Sequence, residues 1–274
     1  VSYGPTFAKS WDWSPDHRSL TMHLRDDVYW TDGVQVTSED VVFSHEISRD
    51  SVVAWSTRSW KESIHRCEAL DRFTVRYDFE SEFPDQLRYA SAGFIVPKHL
   101  LKDVPRDRWA SSAFGRNPVG CGPFKLERWE PQQRLVLVRN ENYCDKPKPY
   151  LDRLVFEIDP DMGTRVTKLR AGQLDMLDEL PPRDAAALRQ EFEAGRSKVR
   201  IVSGRGRYYD FIGYNARDRM FAGRKVREAL TRALDRQAII DRQCYGFAEL
   251  FESPIVPIVW AYNPQQLPTP FDPD

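Results

Sequence analysis

The chain has 274 residues, 41% of them hydrophobic and 30% charged, with 40 Lys and Arg against 41 Asp and Glu. That length supports a sizeable core, in one large domain or two smaller ones, and the composition is that of a folded soluble chain rather than a disordered one. A net charge of −1 argues against a nucleic-acid binder, whose affinity comes from clustered positive charge, and no apolar run approaches the roughly 18 residues of a membrane span.

Taken in chain order, Leu20, Met22 and Leu24 alternate with polar neighbours and predict a half-buried strand. In "VYWTDGVQV", Asp32-Gly33 supplies the positive φ of a tight hairpin turn, and Thr37 with Asp40 forms a capping-box start to the helix "SEDVVFSHEI". Phe73, Val75, Tyr77 and Phe79 predict another strand, and Pro97 opens a short helix in "FIVPKHLL". Phe124–Trp129 and Leu135–Arg139 form a hairpin across Pro131-Gln132, and Leu154, Phe156 and Ile158 predict a further strand. Met162, Val166 and Leu169 lie at helical spacing, with Gly172 placed to end that helix. "QLDML" predicts a short strand, "PPRDAAALRQEF" a helix, and "KVRIV" and "YYDFIGYN" strands flanking an "SGRGR" loop. Val226, Ala229, Leu230, Ala233 and Leu234 define an amphipathic helix, "DRQAIIDRQCYG" a second one, and the Pro-rich tail from Pro254 an extended loop. The class is mixed α/β, without internal repeats.

Catalytic signatures are missing. His45-Glu46 has no second histidine at the spacing of a zinc protease, Ser91 lacks the first glycine of a nucleophile elbow, and no glycine-rich loop ends in Gly-Lys-Ser/Thr. The absence of a Cys-x-x-Cys pair speaks against structural zinc and thioredoxin-like chemistry, so no cofactor and no metal are expected. Gly204-Arg205-Gly206-Arg207 precedes a strand, not a helix N-terminus, and reads as a connector rather than an anion cradle. Trp55, Trp60, Tyr89, Phe94, Tyr208 and Tyr209 lie in or beside loops with Arg58 and Arg205. Such residues serve equally as core or as a surface that grips a polar organic ligand. A binding module is favoured over an enzyme.

Several stretches together resemble the family 5 extracytoplasmic solute-binding proteins of ABC importers, the oligopeptide-, dipeptide- and nickel-binding group. They are "WDWSPDHRSLTMHLRDDVYWTDGVQVTSEDVVFS", "FIVPKHLL", "NPVGCGPFKLERW", "RNENY", "PYLDRLVFEI", "LRAGQLDML" and "IGYNARDRMFAGRKVREALTRALDRQAII", in that order and through almost the whole chain. In "LRAGQLDML", Gln173 stands where the family usually has an acid.

The resemblance implies a type II periplasmic-binding-protein-like α/β fold of mixed sheets with flanking helices, in an incomplete two-lobe architecture. The implied divisions are an inserted domain over 1–148, part of the first lobe over 149–204, and a crossover with the start of the second lobe over 205–274. The implied function is capture of peptides or other small polar solutes for a membrane permease, without catalysis, by a monomer that is periplasmic or lipid-anchored on the outer face of the cytoplasmic membrane. A peptide-binding sensor or chaperone on the same fold is the alternative. Val1-Ser2-Tyr3 has no signal-peptide character, so an exported protein would carry its address outside this stretch. Most motif residues read as structural, Asn215 capping or pinning a strand end and Arg227 pairing with carboxylates beside its helix. By position, the resemblance places ligand contacts at Trp55, Arg58, Trp60, Tyr89, Phe94, Arg205 and Tyr208.

"Gly-Cys-Gly-Pro" resembles the family's Gly-Thr-Gly-Pro. A turn centred on Pro131-Gln132 puts Cys121 opposite Asn142, with Cys144 two residues further along the same face. Diagonal Cβ atoms are about 7 Å apart, wider than the roughly 4 Å of a disulfide, so both cysteines read as free thiols unless a bulge closes the gap. Cys67 and Cys244 have no evident partners.

Overall fold

Period-two alternation builds the first sheet. In the computed structural model, which describes residues 4, 6–109, 111–206 and 208–273, strands β1 (Ala8–Trp13), β2 (Ser19–Leu24), β3 (Ile64–Asp71) and β4 (Thr74–Phe79) are ordered β1-β2-β4-β3. All three pairings are antiparallel. The register sets Leu20 against Tyr77 and Met22 against Val75, so the buried residues of the two central strands share one face. Helix α1 (Ser38–Arg49) starts at the expected capping box. The Asp40 carboxylate accepts the Thr37 N–H at 2.9 Å and, through its other oxygen, the Lys98 N–H at 2.9 Å. One buried carboxylate thereby serves the N-termini of both α1 and the short helix α4 (Lys98–Leu101). Helices α2 (Arg58–Lys61) and α3 (Gln86–Ser91) lie between these elements in sequence.

The "WTDG" turn forms as expected, with Gly33 at φ +91° and only one bridge, Tyr29 to Gln35, beyond it. Its residues Val28, Trp30 and Val36 make a small core of their own. After α5 (Ala113–Arg116), strands β5 (Phe124–Glu130), β6 (Arg134–Arg139) and β7 (Arg153–Glu157) form an antiparallel meander. At the open end of the β5–β6 hairpin Phe124 faces Arg139, the register expected from the sequence. At the closed end Glu130 faces Arg134, because a bulge at Glu127 shifts the ladder by one residue. Gln132, in the turn, has φ +62°.

The chain divides into two compact units, Val1–Ile158 and Asp159–Asp274. In the second, α6 (Met162–Arg170) and α7 (Pro182–Glu193) bury Val166, Leu169 and Leu188. Both helices end in the same device. The Gly172 N–H reaches the Leu169 carbonyl and the Gln173 N–H that of Lys168, while Gly195 and Arg196 reach Phe192 and Glu191 in the same way. The glycines adopt φ +70°, as this C-terminal motif requires. Helices α8 (Arg224–Arg232) and α9 (Arg236–Gln243) match the two helices read from the sequence, and Asp235 caps α9 through the Ala238 N–H.

Five expectations are corrected here, three of them strands. "QLDML", "KVRIV" and "YYDFIGYN" form no strands among the described residues. Leu174, Leu177, Val199 and Ile201 pack onto the α6–α7 core by their side chains, but a strand also needs a backbone partner, and alternation does not supply one. Asn215 accepts the Arg217 N–H, closing a local turn rather than pinning a strand. Arg227 donates to the carbonyls of Phe221 and Ala222 rather than to carboxylates.

Candidate functional site

Lysine usually stays in water, yet Lys61, the last residue of α2, is 5% exposed. Its ammonium donates to the carbonyls of Tyr89 at 2.7 Å and Ala90 at 2.8 Å. These belong to the last turn of α3, where unpaired carbonyls and the negative end of the helix dipole favour a cation. Burial pushes the Lys61 pKa down to about 8. The clamp fixes α3 against α2.

The preceding residue, Trp60, stacks on the Tyr89 ring at 5.8 Å between centroids and 8° between planes. The Arg88 guanidinium lies 4.9 Å from the Trp60 ring centre, a cation–π distance. Tyr89 also meets Phe83 at 5.2 Å, Phe83 meets Phe79 at 5.8 Å, and Phe79 meets Trp13 at 6.2 Å. A continuous run of rings therefore leads from the first sheet to the half-buried Trp60–Tyr89 pair. Trp60 is thus flanked by the Tyr89 ring and the Arg88 guanidinium, an arrangement in which aromatic faces and a cation meet.

Of the other residues expected at a site, Arg58 on α2 is held by Glu62 at 3.1 Å. Phe94 is 82% exposed, in the loop that follows Gly93. Trp55 does not join the pair; it packs against the core of Phe43, Ile47, Val96 and Leu101. In the second unit, Arg205 donates to Glu249 at 3.0 Å and Tyr208 is 95% exposed. Tyr209 contacts Phe211 and Phe251, and Arg207 lies outside the described residues. A groove of about 860 Å³ lies where the segments after α6 and α7 meet, lined by Arg170, Leu174, Met176, Leu180, Arg196 and Val199. Lys61, Phe83 and Arg88 escaped the sequence reading. The signal available was adjacency, since Lys61 follows Trp60 and Arg88 precedes Tyr89.

On α1, His45 is buried against Tyr77, and neither ring nitrogen has a hydrogen-bond partner among the described residues. Burial, with the charges of Lys61 and Arg49, pushes its pKa down to about 4. Burial also pushes the Cys67 thiol up to about 12. Among the described residues no three His, Cys, Asp or Glu side chains are grouped to hold a metal ion.

The chain matches the family described as bacterial extracellular solute-binding proteins, family 5 Middle, over residues 2–274. It is 30% identical over 251 residues to the oligopeptide-binding protein AppA of Bacillus subtilis, covering 90% of this chain and 44% of the relative. Over 288 residues it is 29% identical to heme-binding protein A of Haemophilus influenzae, covering 98% of this chain and 52% of the relative. The solved structure of Bacillus subtilis AppA in complex with a nonapeptide shares its fold with a TM-score of 0.79 at 26% identity, covering 98% of this chain and 53% of that one. The chain spans about half the length of these curated relatives. The fold is the mixed α/β fold of the type II periplasmic binding proteins. With the match running from residue 2 to residue 274, the chain belongs to the family 5 bacterial extracellular solute-binding proteins.

Proposed function

We propose that this chain is part of the solute-binding component of an ABC importer, one that captures peptides or other small polar solutes outside the cytoplasm and delivers them to a membrane permease. The observation that carries this reading is the family match over residues 2–274, supported by relatives named for oligopeptide and heme binding. The reading is non-catalytic. It takes the protein as a monomer, periplasmic or lipid-anchored at the outer face of the cytoplasmic membrane, with an inserted domain over 1–148, first-lobe residues over 149–204 and a crossover into the second lobe over 205–274.

Within it, Trp60, Tyr89, Phe94 and Arg58, joined by Arg88, offer aromatic and cationic contacts in the first unit, with Arg205 and Tyr208 in the second. Trp55, packed on the core, supports the loop that precedes α2. A guanidinium beside aromatic faces suits a peptide, whose carboxylate and side chains need one cation and several flat apolar surfaces. Mass spectrometry of solute co-purified with the full-length protein, followed by calorimetry with that solute, tests the proposal. Sub-micromolar binding of a peptide-like solute is expected. Saturable turnover of the solute, or no binding of the co-purified solute or of any peptide or small polar solute tried, would overturn it. A sensor or chaperone on the same fold would bind equally well but would not stimulate the ATPase of a reconstituted permease.

A further inference from the structure

We propose that Cys121 and Cys144 are a redox pair that closes into an intramolecular disulfide by exchange with a disulfide donor. The ideal ladder leaves these two residues diagonal, but the ladder does not reach Cys144. Strand β6 ends at Arg139, and the Tyr143 N–H donates back to the Asn140 carbonyl while the Asn142 N–H donates to the Asn140 side chain. This turn takes Cys144 out of the extended register.

Both cysteines are then held to the same stretch of chain. The Thr31 N–H donates to the Gly120 carbonyl at 2.8 Å, beside Cys121. The Arg25 guanidinium donates to the Cys144 carbonyl at 3.1 Å. Asn140, itself buried, donates to the Gly122 carbonyl at 2.8 Å. Each half-buried cysteine side chain packs against the same core of Val28, Trp30 and Val36. Burial pushes the Cys121 thiol up, and the charge of Cys144 acts on it in the same direction. Burial disfavours the thiolate of Cys121, so Cys144, whose backbone the Arg25 guanidinium holds, is assigned as the first nucleophile.

The chemistry balances as ordinary exchange. The Cys144 thiolate attacks one sulfur of the donor disulfide, forming a mixed disulfide and releasing the other donor sulfur as a thiol. The Cys121 thiolate, its proton passed to solvent, attacks the Cys144 sulfur and releases the second donor sulfur. Two protein thiols are oxidised by two electrons, and one donor disulfide is reduced to two thiols.

The test uses glutathione disulfide as donor on the folded chain, followed by acid quench, unfolding in an alkylating agent, and intact-mass and peptide analysis. The expected product has two alkylated cysteines, Cys67 and Cys244, and a peptide linking Cys121 to Cys144. Cys121→Ser is expected to stop at one glutathione attached to Cys144, whereas Cys144→Ser leaves Cys121 largely unmodified. Circular dichroism before the quench establishes that each sample is folded. If Cys121→Ser does not fold, the peptide map of the unsubstituted chain still decides. Four alkylated cysteines from folded protein at equilibrium, or a bridge that uses Cys67 or Cys244, would overturn the proposal.

Discussion

The Lys61 ammonium donates to the Tyr89 carbonyl at 2.7 Å while the neighbouring Trp60 ring stacks on the Tyr89 ring. Backbone and side chain of one tyrosine are thus held by two consecutive residues of α2. Substitution by methionine keeps most of the Lys61 stem but strands two buried carbonyls. Lys61→Met is expected to lower stability by about 2 kcal/mol, the order of cost for buried unpaired polar groups. Urea unfolding checks it, as a lower midpoint at an unchanged slope.

The stack itself is separable from that clamp. A double-mutant cycle on Trp60→Ala and Tyr89→Ala is expected to give a coupling of about 1 kcal/mol, as aromatic pairs do beyond simple burial. Additive single losses in denaturant melts would show the rings to be neighbours without interaction. With a solute identified, the same variants are expected to weaken its binding while the fold persists.

His45 makes stability depend on acidity. Its pKa is about 4 in the folded protein against an ordinary 6.5, so between those values the unfolded chain holds the extra proton. Stability therefore falls as pH drops from 6.5 towards 4, by about 3 kcal/mol from this group. The ring faces Tyr77 edge-on at 6.2 Å, and its nitrogens are unpaired among the described residues, so His45→Leu leaves no partner stranded. Melts of this variant across that range are expected to show a flatter acid limb.

At Gln132, φ is +62°, a conformation that costs an L-residue with a Cβ about 1 kcal/mol or more. Gln132→Gly removes the clash at some entropic cost in the unfolded chain. A net gain of roughly 0.5 kcal/mol is expected, read as a small rise in melting temperature. A fall would mean that the side chain makes a contact worth more than the strain.

Legibility followed the range of each interaction. The capping box at Thr37 and Asp40, the alternation of Leu20, Met22 and Leu24, and the glycine after α6 are local patterns and could be read directly. Lys61 was marked only by its place after Trp60, since its burial depends on carbonyls 28 and 29 residues away. Nothing in the sequence around Trp55 separates a tryptophan packed on a core from one stacked on a tyrosine, because the distinction lies in Val96 and Leu101. Segments 198–202 and 208–215 have strand-like composition, but a strand is a property of two segments, and one segment cannot reveal the other. The Arg88 cation was hidden for a related reason, as its ring partner sits on a different helix.

The bulge at Glu127 and the turn around Gln132 together give the β5–β6 hairpin one residue of slack. In a regular ladder, gaining or losing a residue turns every later side chain to the opposite face. Here the extra residue is already housed inside the strand, so a change of length at the turn can be taken up at Glu127 before it reaches Leu126 and Phe124. The facing of Leu126 and Phe124 at the open end is therefore insulated from the length of the turn at the closed end.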